Sequence, residues 1–379
     1  MKIEQTKWES GKPWVPEDPG QLGESAQLVL LFGSTSILKQ KDVLEDIRRE
    51  YPKAHLLGCS TAGEILGTQV QDETLVLTAI AFEHTEIQTA YTRVDEIGDS
   101  YQIGKHLAQS IPQEELSHVM VFSDGLHVNG SDLARGLTDH LPGNVMVTGG
   151  LSGDGGAFKE TIVLCDDASG SGVVAVLGLY GTHIQIGYGS LGGWDPFGPE
   201  RVITKSDHNV LYELDGKPAL ALYKEYLGEH AKGLPATALL FPLCIRNEEG
   251  TLNLVRTVLS VDEEKQSMTF AGDLPETYYA QLMKANFDRL IDGAVGAARA
   301  SCTGCGSDHP SLAILISCVG RKMVLKQRVE EEVEGVQEIL GEQTALTGFY
   351  SYGELCPSRP NEKCELHNQT MTVTTLREI

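Results

Sequence analysis

The stretch Gly58-Cys-Ser-Thr-Ala-Gly-Glu64-Ile65 returns in altered form near the end of the chain, as Gly348-Phe-Tyr-Ser-Tyr-Gly-Glu354-Leu355. Both copies fit the pattern G-x-x-[ST]-x-G-E-[IL]. Two glycines around a hydroxyl, followed by a carboxylate, favour a tight loop in which backbone amides and polar side chains converge. The same glycines also suit an ordinary turn after a strand. Recurrence in the same local setting favours a loop that holds something small.

Each copy belongs to a strand–helix–strand–loop–strand unit, and a third unit lies between the two. The units are predicted from apolar runs at 27–32, 118–122 and 312–316, each followed by a helical segment, a short strand and a glycine loop. The strands after the three loops begin with Glu73-Thr74, Glu160-Thr161 and Gln369-Thr370. We therefore predict a mixed α+β (α/β) fold in which these repeated units form two mixed sheets flanked by helices.

The rest of the chain sets the domain boundaries. Residues 1–26 carry prolines, glycines and charges without apolar periodicity, which is typical of an N-terminal arm. We place a first module at 27–220 and a second at 221–379. The longest predicted helix covers 278–300 in the second module.

Composition excludes several classes of protein. With 30 Lys and Arg against 53 Asp and Glu, the formal charge is −23, and no basic patch is present to bind nucleic acid or an anionic membrane. No apolar run is long enough to span a bilayer, and we expect a cytoplasmic location. The eight cysteines are irregularly spaced, which indicates reduced thiols. The sequence is compatible with a homo-oligomer.

A set of motifs taken in order resembles the FIST family of prokaryotic sensory proteins. The motifs are Gly58–Glu64, Val121-Phe-Ser-Asp-Gly125, Asn129-Gly-Ser-Asp132, Gly149-Gly150, Leu214-Asp-Gly-Lys-Pro-Ala-Leu220, Ser317-Cys-Val-Gly-Arg321, Gly348–Glu354 and Leu366-His-Asn-Gln-Thr370. The resemblance covers about residues 27–376 and both modules of the family. It implies a sensor of a gaseous or small-molecule ligand that works with signalling partners.

One branch of that family, the stand-alone nitric-oxide-sensing proteins called NosP, binds haem. It regulates a sensor histidine kinase or a cyclic-di-GMP enzyme. This chain resembles that branch because it shows no kinase, cyclase or receiver segment of its own. The resemblance therefore implies a b-type haem and nitric oxide as the signal. A receptor for a small metabolite such as an amino acid, without haem, is the alternative.

The predicted ligand-binding residues come from the glycine loops and from one arginine at a strand end. They are Ser60, Thr61, Gly63, Glu64, Gly149, Gly150, Arg321, Ser351, Tyr352, Gly353 and Glu354. Arg321 could bind a carboxylate or a haem propionate through paired hydrogen bonds, or pair with an acidic neighbour. Glu64 and Glu354 could form an acid/base pair, but hydrogen bonding to a ligand is the simpler role.

A haem that senses nitric oxide needs one strong axial donor, usually a neutral imidazole. His367, just before the last strand, is the leading candidate; alternatively it bonds a strand-end carbonyl. His183 and His127 are weaker candidates, and the thiolate of Cys356, before Pro357, is a donor of another kind. The sequence lacks Cys-x-x-Cys-His, so covalent attachment is excluded.

Two further hypotheses concern other chemistry. Cys302-Thr-Gly-Cys305 could be an inert pair of thiols, part of a metal site or a redox dithiol. The motifs of common hydrolases, metalloproteases and nucleotide-binding enzymes are absent from the sequence. We therefore expect a binding protein and not an enzyme.

Overall fold

The structure is a computed structural model that describes residues 1–234, 236–250, 252–303, 309–359 and 362–379. It confirms the mixed α+β class. The described residues form three sheets of six strands and one sheet of nine, where the sequence predicted two sheets. The count differs because each repeat builds its own sheet and the segment inserted into the third repeat builds another.

The first repeat begins with a strand inside the predicted arm. Its elements are β1 (Lys2–Glu9), β2 (Leu28–Gly33), α1 (Thr35–Leu38), α2 (Lys41–Glu50), β3 (His55–Ser60), β4 (Glu64–Leu66), β5 (Gln69–Gln71) and β6 (Thr74–Ala81). Strand β1 pairs with β6 along its whole length, so residues 2–9 are an ordered edge strand. The strand looks polar because its buried residues include Glu4, whose carboxylate accepts hydrogen bonds from Tyr51 and from the backbone of Gly20 and Leu22.

The second repeat follows the same order. Its elements are β7 (Glu86–Arg93), α3 (Val94–Ile97), α4 (Ser100–Ser110), β8 (Leu116–Ser123), α5 (Gly130–Thr138), β9 (Met146–Leu151), β10 (Val163–Cys165), β11 (Ala168–Gly170) and β12 (Val173–Tyr180). Asn129 caps α5, since its side-chain oxygen accepts hydrogen bonds from the N–H groups of Ser131 and Asp132.

The third repeat is interrupted after its first strand, β13 (Ile184–Leu191), by a segment that we call the inserted module. The module contains β14 (Asp195–Pro196), β15 (Arg201–Asp207), β16 (Val210–Leu214), β17 (Lys217–Pro218), α6 (Ala219–Leu227), β18 (Leu243–Arg246), β19 (Asn253–Arg256), β20 (Val258–Asp262), β21 (Ser267–Phe270) and β22 (Tyr279–Lys284). These strands form the nine-stranded sheet around their own core. The predicted boundary at 220/221 falls inside α6.

The chain then completes the third repeat. Its remaining elements are α7 (Phe287–Cys302), β23 (Leu312–Cys318), α8 (Val319–Leu325), α9 (Val329–Leu340), β24 (Ala345–Ser351), β25 (Gly353–Pro357), β26 (Cys364–His367) and β27 (Met371–Glu378). The predicted helix at 278–300 is therefore wrong in its first part, which is strand β22. The helix begins only after Asn286, whose side chain caps its first turn.

The three repeats exchange hairpins in a cycle. The sheets run β1-β6-β2-β3-β10-β11, then β7-β12-β8-β9-β25-β26, and then β13-β27-β23-β24-β4-β5. Each repeat supplies four strands to its own sheet, and its hairpin joins the sheet of another repeat. The two strands at the centre of each six-stranded sheet are parallel. The chain thus has an approximate three-fold arrangement in which no repeat is complete by itself.

The repeated glycines explain how the hairpins fit. Gly58, Gly149 and Gly348 occupy equivalent positions, opposite Leu164, Leu355 and Ile65 of the inserted hairpins. A Cβ atom on these three glycines would lie 1.8, 1.9 and 1.9 Å from a carbonyl oxygen of the adjacent parallel strand. Only glycine allows this close approach of two backbones.

Candidate functional site

The three glycine loops meet at the carboxyl ends of the parallel strand pairs. Backbone hydrogen bonds join every pair of repeats there: from Gly155 N to Thr61 O at 3.0 Å, from Ala62 N to Tyr350 O at 2.8 Å, and from Tyr352 N to Leu151 O at 3.1 Å. The sequence predicted ligand-binding residues in all three loops. The structure brings all three together.

Glu64 and Glu354 hold equivalent positions in this assembly. Each carboxylate accepts one hydrogen bond from a hydroxyl of its own loop, Thr61 or Ser351. Each also accepts hydrogen bonds from the backbone N–H and the hydroxyl of a threonine at the start of the last strand of its repeat. For Glu64 this is Thr74, the first residue of β6, and for Glu354 it is Thr370, directly before β27. Both side chains are buried. They tie the start of each exchanged hairpin to its own repeat.

The middle repeat replaces this polar link with an apolar one. Three hairpin residues occupy equivalent positions in the strand pairing. Glu64 pairs with Phe349, Glu354 pairs with Gly150, and Val163 of the middle repeat pairs with Cys59. Val163 is fully buried, as is Val173, the first residue of the strand that follows its hairpin. Two of the three hairpins therefore carry a buried carboxylate at this position, and the third carries a valine.

The burial of the two carboxylates predicts a pH dependence of stability. Burial raises the pKa of Glu64 to about 7 and that of Glu354 to about 8, and the hydroxyl and amide donors only partly oppose this effect. Because the folded protein binds these protons more tightly than the unfolded chain, their contribution is complete below the ordinary carboxyl pKa and is lost as the pH rises through 7 and 8.

We therefore expect the unfolding free energy of the wild type to fall by on the order of 3 kcal/mol between pH 6 and pH 9. The unfolding free energy of the double variant Glu64→Gln, Glu354→Gln should fall much less over this pH range. Urea unfolding at several pH values measures how the unfolding free energy of each protein depends on pH. Glu263→Gln, at a side chain that is 61% exposed, is the control. Equal slopes in wild type and double variant would contradict the prediction.

Arg321 lies in the core and pairs with an acidic neighbour, one of the two roles that the sequence left open. Its Nε and Nη2 atoms donate to Glu332 Oε2 at 3.0 and 2.6 Å, and both side chains are 0% exposed. The other carboxylate oxygen accepts hydrogen bonds from Ser317 and Tyr350. Arg321 also donates to backbone carbonyls of other elements. In this arrangement it holds helices α7, α8 and α9 together.

His367 and Cys356, the predicted haem ligands, also lie in the core. Nε2 of His367 donates to the carbonyl oxygen of Cys356 at 2.9 Å, across the hairpin β25–β26. Burial lowers the pKa of His367 to about 4 and raises the pKa of the Cys356 thiol. With Nε2 engaged, only Nδ1 of His367 could ligate iron, and this side chain is 5% exposed in the core. Burial also disfavours the thiolate of Cys356.

A large cavity opens beside the meeting point of the loops, between the repeats and the inserted module. Its volume is about 870 Å³. One wall comes from the second and third repeats and includes His127, Phe158, Cys318, Met323 and Tyr352. The opposite wall comes from the inserted module and includes Thr257, Leu259, Phe270 and Gly272. The lining is mostly apolar with a few polar groups, as is typical of small-molecule sites.

Tyr352 alone of the predicted ligand-binding residues lines this cavity. The other loop residues are buried in the contacts between the repeats. Phe158 stacks on Tyr352, with ring centroids 4.4 Å apart and planes 13° apart. Its side chain is exposed and its backbone has φ of 53°, a conformation that a bulky residue rarely adopts. A strained aromatic residue at a cavity wall is typical of a ligand site.

His127 is the imidazole at the cavity wall. Its Nδ1 donates to Asp124 Oδ1 at 3.0 Å, which leaves Nε2 as a base or a metal ligand. Asp124 is fully buried, and burial would raise its pKa, but backbone hydrogen bonds from Gly172, Leu126 and His127 lower the pKa overall. Asp124 directly follows strand β8, in the motif Val121-Phe-Ser-Asp-Gly125. Its position at the carboxyl end of a parallel strand was the signal that could have identified it.

Within the described residues, His, Cys, Asp and Glu side chains form no group of three that could hold a metal ion. Cys305 lies outside the described residues, so the prediction for Cys302 and Cys305 stays a prediction. A helix with the length and apolar character needed to cross a membrane is absent from the described parts of the chain.

Two protein-family models match consecutive parts of the chain. The model of the FIST N domain matches residues 27–217, and the model of the FIST C domain matches residues 219–357. An uncharacterized protein of Methanocaldococcus jannaschii is 26% identical, and the match covers 86% of this chain and 69% of that protein.

Two solved structures show a weaker similarity. A chorismatase has a TM-score of 0.35 and 10% identity, with 99% of this chain and 98% of that chain covered. A cyanuric acid hydrolase from A. caulinodans has a TM-score of 0.38 and 7% identity, with 99% of both chains covered. At TM-scores this low, neither similarity supports a conclusion about fold or activity.

Proposed function

This chain belongs to the FIST family, and from that premise we propose that it is a sensor that binds its ligand in the cavity beside the glycine loops. FIST domains are associated with small-ligand sensing in signalling. The observation that carries the proposal is the cavity itself, since its walls come from two repeats and from the inserted module. A ligand there would stabilise one relative position of these parts, which is how binding changes a surface that a partner reads.

Two exposed leucines allow a direct test of whether the ligand binds in the cavity. Leu259 lines it and is 44% exposed, whereas Leu191 is 46% exposed and does not line it. A metabolite that raises the melting temperature of the wild type should fail to do so in Leu259→Glu, because the new carboxylate repels or blocks the ligand. Leu191→Glu should respond like the wild type. A ligand that stabilises both variants equally would contradict the cavity as the site.

The finer proposal is a cytoplasmic b-type haem sensor of nitric oxide that regulates a histidine kinase or a cyclic-di-GMP enzyme. His127 supports it, since this imidazole lies at a mostly apolar wall and is oriented by a buried carboxylate. The cavity volume also suits a large planar ligand. Haem bound there would supply the iron that takes up the gas, and His127 would be the residue that holds it. His367 and Cys356 do not fit this role because they lie in the core.

We expect His127→Ala to weaken or shift the Soret band of protein reconstituted with haem. His367→Ala should shift it much less, provided that the variant folds. His183→Ala, at an exposed histidine away from the cavity, is the matched control. The measurement is an absorption titration with haem. An unchanged spectrum in His127→Ala, or no stoichiometric haem in the wild type, would remove the haem proposal and leave the metabolite receptor.

A further inference from the structure

Asp124 and His127 form a hydrogen-bonded pair at the wall of the cavity. Oδ1 of Asp124 accepts hydrogen bonds from the backbone N–H groups of Leu126 and His127, and Oδ2 accepts them from two hydroxyls and from the N–H of Gly172. A carboxylate that accepts hydrogen bonds on both oxygens carries no proton to donate. Nδ1 of His127, 3.0 Å from Oδ1, is therefore the donor in this pair.

This hydrogen bond leaves the lone pair of the neutral imidazole on Nε2. The His127 side chain is 55% exposed and lines the cavity, whereas Asp124 is fully buried behind it. Nε2 has no hydrogen-bond partner among the described residues. An imidazole whose Nδ1–H is held by a buried carboxylate, with Nε2 open to a cavity, is the arrangement of a general base.

Asn129 places an amide donor two residues from this base, and it also lines the cavity. Its Oδ1 accepts hydrogen bonds from the N–H groups of Ser131 and Asp132, which identifies the other amide atom as Nδ2. Nδ2 donates to Asp273 at 3.0 Å and makes no further hydrogen bond within the described parts of the chain, so its second hydrogen is available to a ligand. An amide N–H can stabilise the negative charge that develops on a carbonyl oxygen during acyl transfer.

The other lining residues indicate the nucleophile and the charge of the substrate. The described lining contains the hydroxyl of Thr257 and the thiol of Cys318, in side chains that are 6% and 3% exposed, and the hydroxyl of Tyr352, which donates to Asp154. Water that enters the cavity is therefore the nucleophile within reach of Nε2. Asp, Glu, Lys and Arg are absent from the described lining, so a charged substrate would lie in mostly apolar surroundings without a counter-ion.

We propose that His127, with Asp124 and Asn129, hydrolyses an uncharged ester in the cavity. Nε2 of His127 takes a proton from water as the water oxygen bonds to the ester carbonyl carbon, and Nδ2 of Asn129 donates to the carbonyl oxygen. The bond from this carbon to the leaving group then breaks, its electron pair stays on the leaving oxygen, and the imidazolium returns the proton to that oxygen. The products are a carboxylic acid and an alcohol.

Asp124 is a positioning residue in this reaction, because it holds the imidazole in the tautomer that exposes the lone pair of Nε2. The activity goes beyond the proposed function, since a receptor with it removes its own ligand. It belongs with the metabolite receptor and not with the haem sensor. An imidazole that holds iron through Nε2 has no lone pair left to take a proton.

Hydrolysis of 4-nitrophenyl butyrate, an uncharged ester, tests the base. We expect His127→Ala to lower kcat/KM by about a hundredfold. Free imidazole should restore part of the rate in this variant, beyond the rate of imidazole alone, because it can replace the missing base. His183→Ala, at an exposed histidine away from the cavity, is the matched control and should keep the wild-type rate.

Two further variants test the residues around the base. Asp124→Asn should lower kcat by at least about tenfold and leave KM nearly unchanged, because the amide favours the wrong tautomer of His127. Asn129→Ser keeps a capping oxygen for helix α5 and removes the amide donor, so kcat should fall by about a hundredfold. Thermal unfolding shows whether each variant is folded. His127→Ala changes an exposed side chain and keeps the proposal testable if Asp124→Asn does not fold.

A second ester of similar size, 4-nitrophenyl hydrogen succinate, carries a carboxylate and should be hydrolysed at least about tenfold more slowly than the butyrate. Faster hydrolysis of the succinate overturns the choice of an uncharged substrate. A burst of one equivalent of nitrophenol overturns water as the nucleophile, since it reports a covalent intermediate.

The remaining outcomes separate this activity from ligand sensing. A wild-type rate in His127→Ala, or no hydrolysis by the wild type, overturns the general base. An unchanged rate in Leu259→Glu places the reaction outside the cavity and overturns the proposal too. A metabolite that stabilises the wild type but not Leu259→Glu supports the proposed function whether or not any ester is hydrolysed.

Discussion

Replacing Arg321 with alanine should lower the unfolding free energy by about 3–5 kcal/mol, because it leaves the buried charge of Glu332 without its partner. Both side chains are 0% exposed. The variant also removes the donors to the carbonyls of Gly192 and Leu290. Chemical denaturation measures the loss.

Arg328→Ala is the matched control for this variant. Arg328 also pairs with carboxylates, Asp288 and Glu331, but its side chain is 40% exposed. An exposed pair contributes about 0–1 kcal/mol, so the control should change stability little. A loss below 1 kcal/mol in Arg321→Ala would show that the ion pair does not hold helices α7, α8 and α9 together.

Gly348→Ala should have an effect as large, with a steric cause. The new Cβ atom would lie 1.9 Å from the carbonyl oxygen of Leu315 on the parallel neighbour, 2.7 Å from its carbon and 2.9 Å from its nitrogen. These are backbone atoms in the middle of a sheet and cannot move aside cheaply. We expect a loss of at least about 3 kcal/mol, at or beyond the upper end of ordinary overpacking.

The test compares Gly348→Ala with Gly143→Ala. At the exposed Gly143, a Cβ atom would meet nothing within 4 Å. The control should therefore keep the wild-type stability within about 0.5 kcal/mol. Thermal unfolding of both variants gives the comparison. Similar melting temperatures would mean that the parallel strands separate to accept a side chain, and that glycine is not required where β23 and β24 approach each other.

Much of the fold could be predicted from local patterns. The apolar runs of β2, β8 and β23, the helices after them and the glycines that follow recur three times, and each run is buried as expected for a strand covered on both faces. The predictions failed where a residue type is ambiguous. The polar pattern of the first strand predicts an arm, and the apolar segment before Asn286 predicts the start of a helix. Both segments are strands.

The candidate site was harder to predict. Glu64, Glu354 and Arg321 carry polar side chains in recurring motifs, which suits either a ligand or a buried partner. In the structure their partners are Thr74, Thr370 and Glu332, which lie 10, 16 and 11 residues away. Sequence spacing does not show whether such side chains meet each other or face a cavity. Thr257, on the module wall of the cavity, belongs to no repeated motif, and no pattern marked it.

The sequence by itself determined the repeated unit, because the apolar periodicity and the glycines that allow close backbone contact are local properties of the chain. Only the tertiary structure decided that the hairpins cross between repeats, because the pairing of distant strands depends on the whole assembly. The same is true of the Gly58 and Gly348 loops. Their glycines and carboxylates hold the three repeats together, and the cavity lies beside them because the inserted module closes over that end of the sheets.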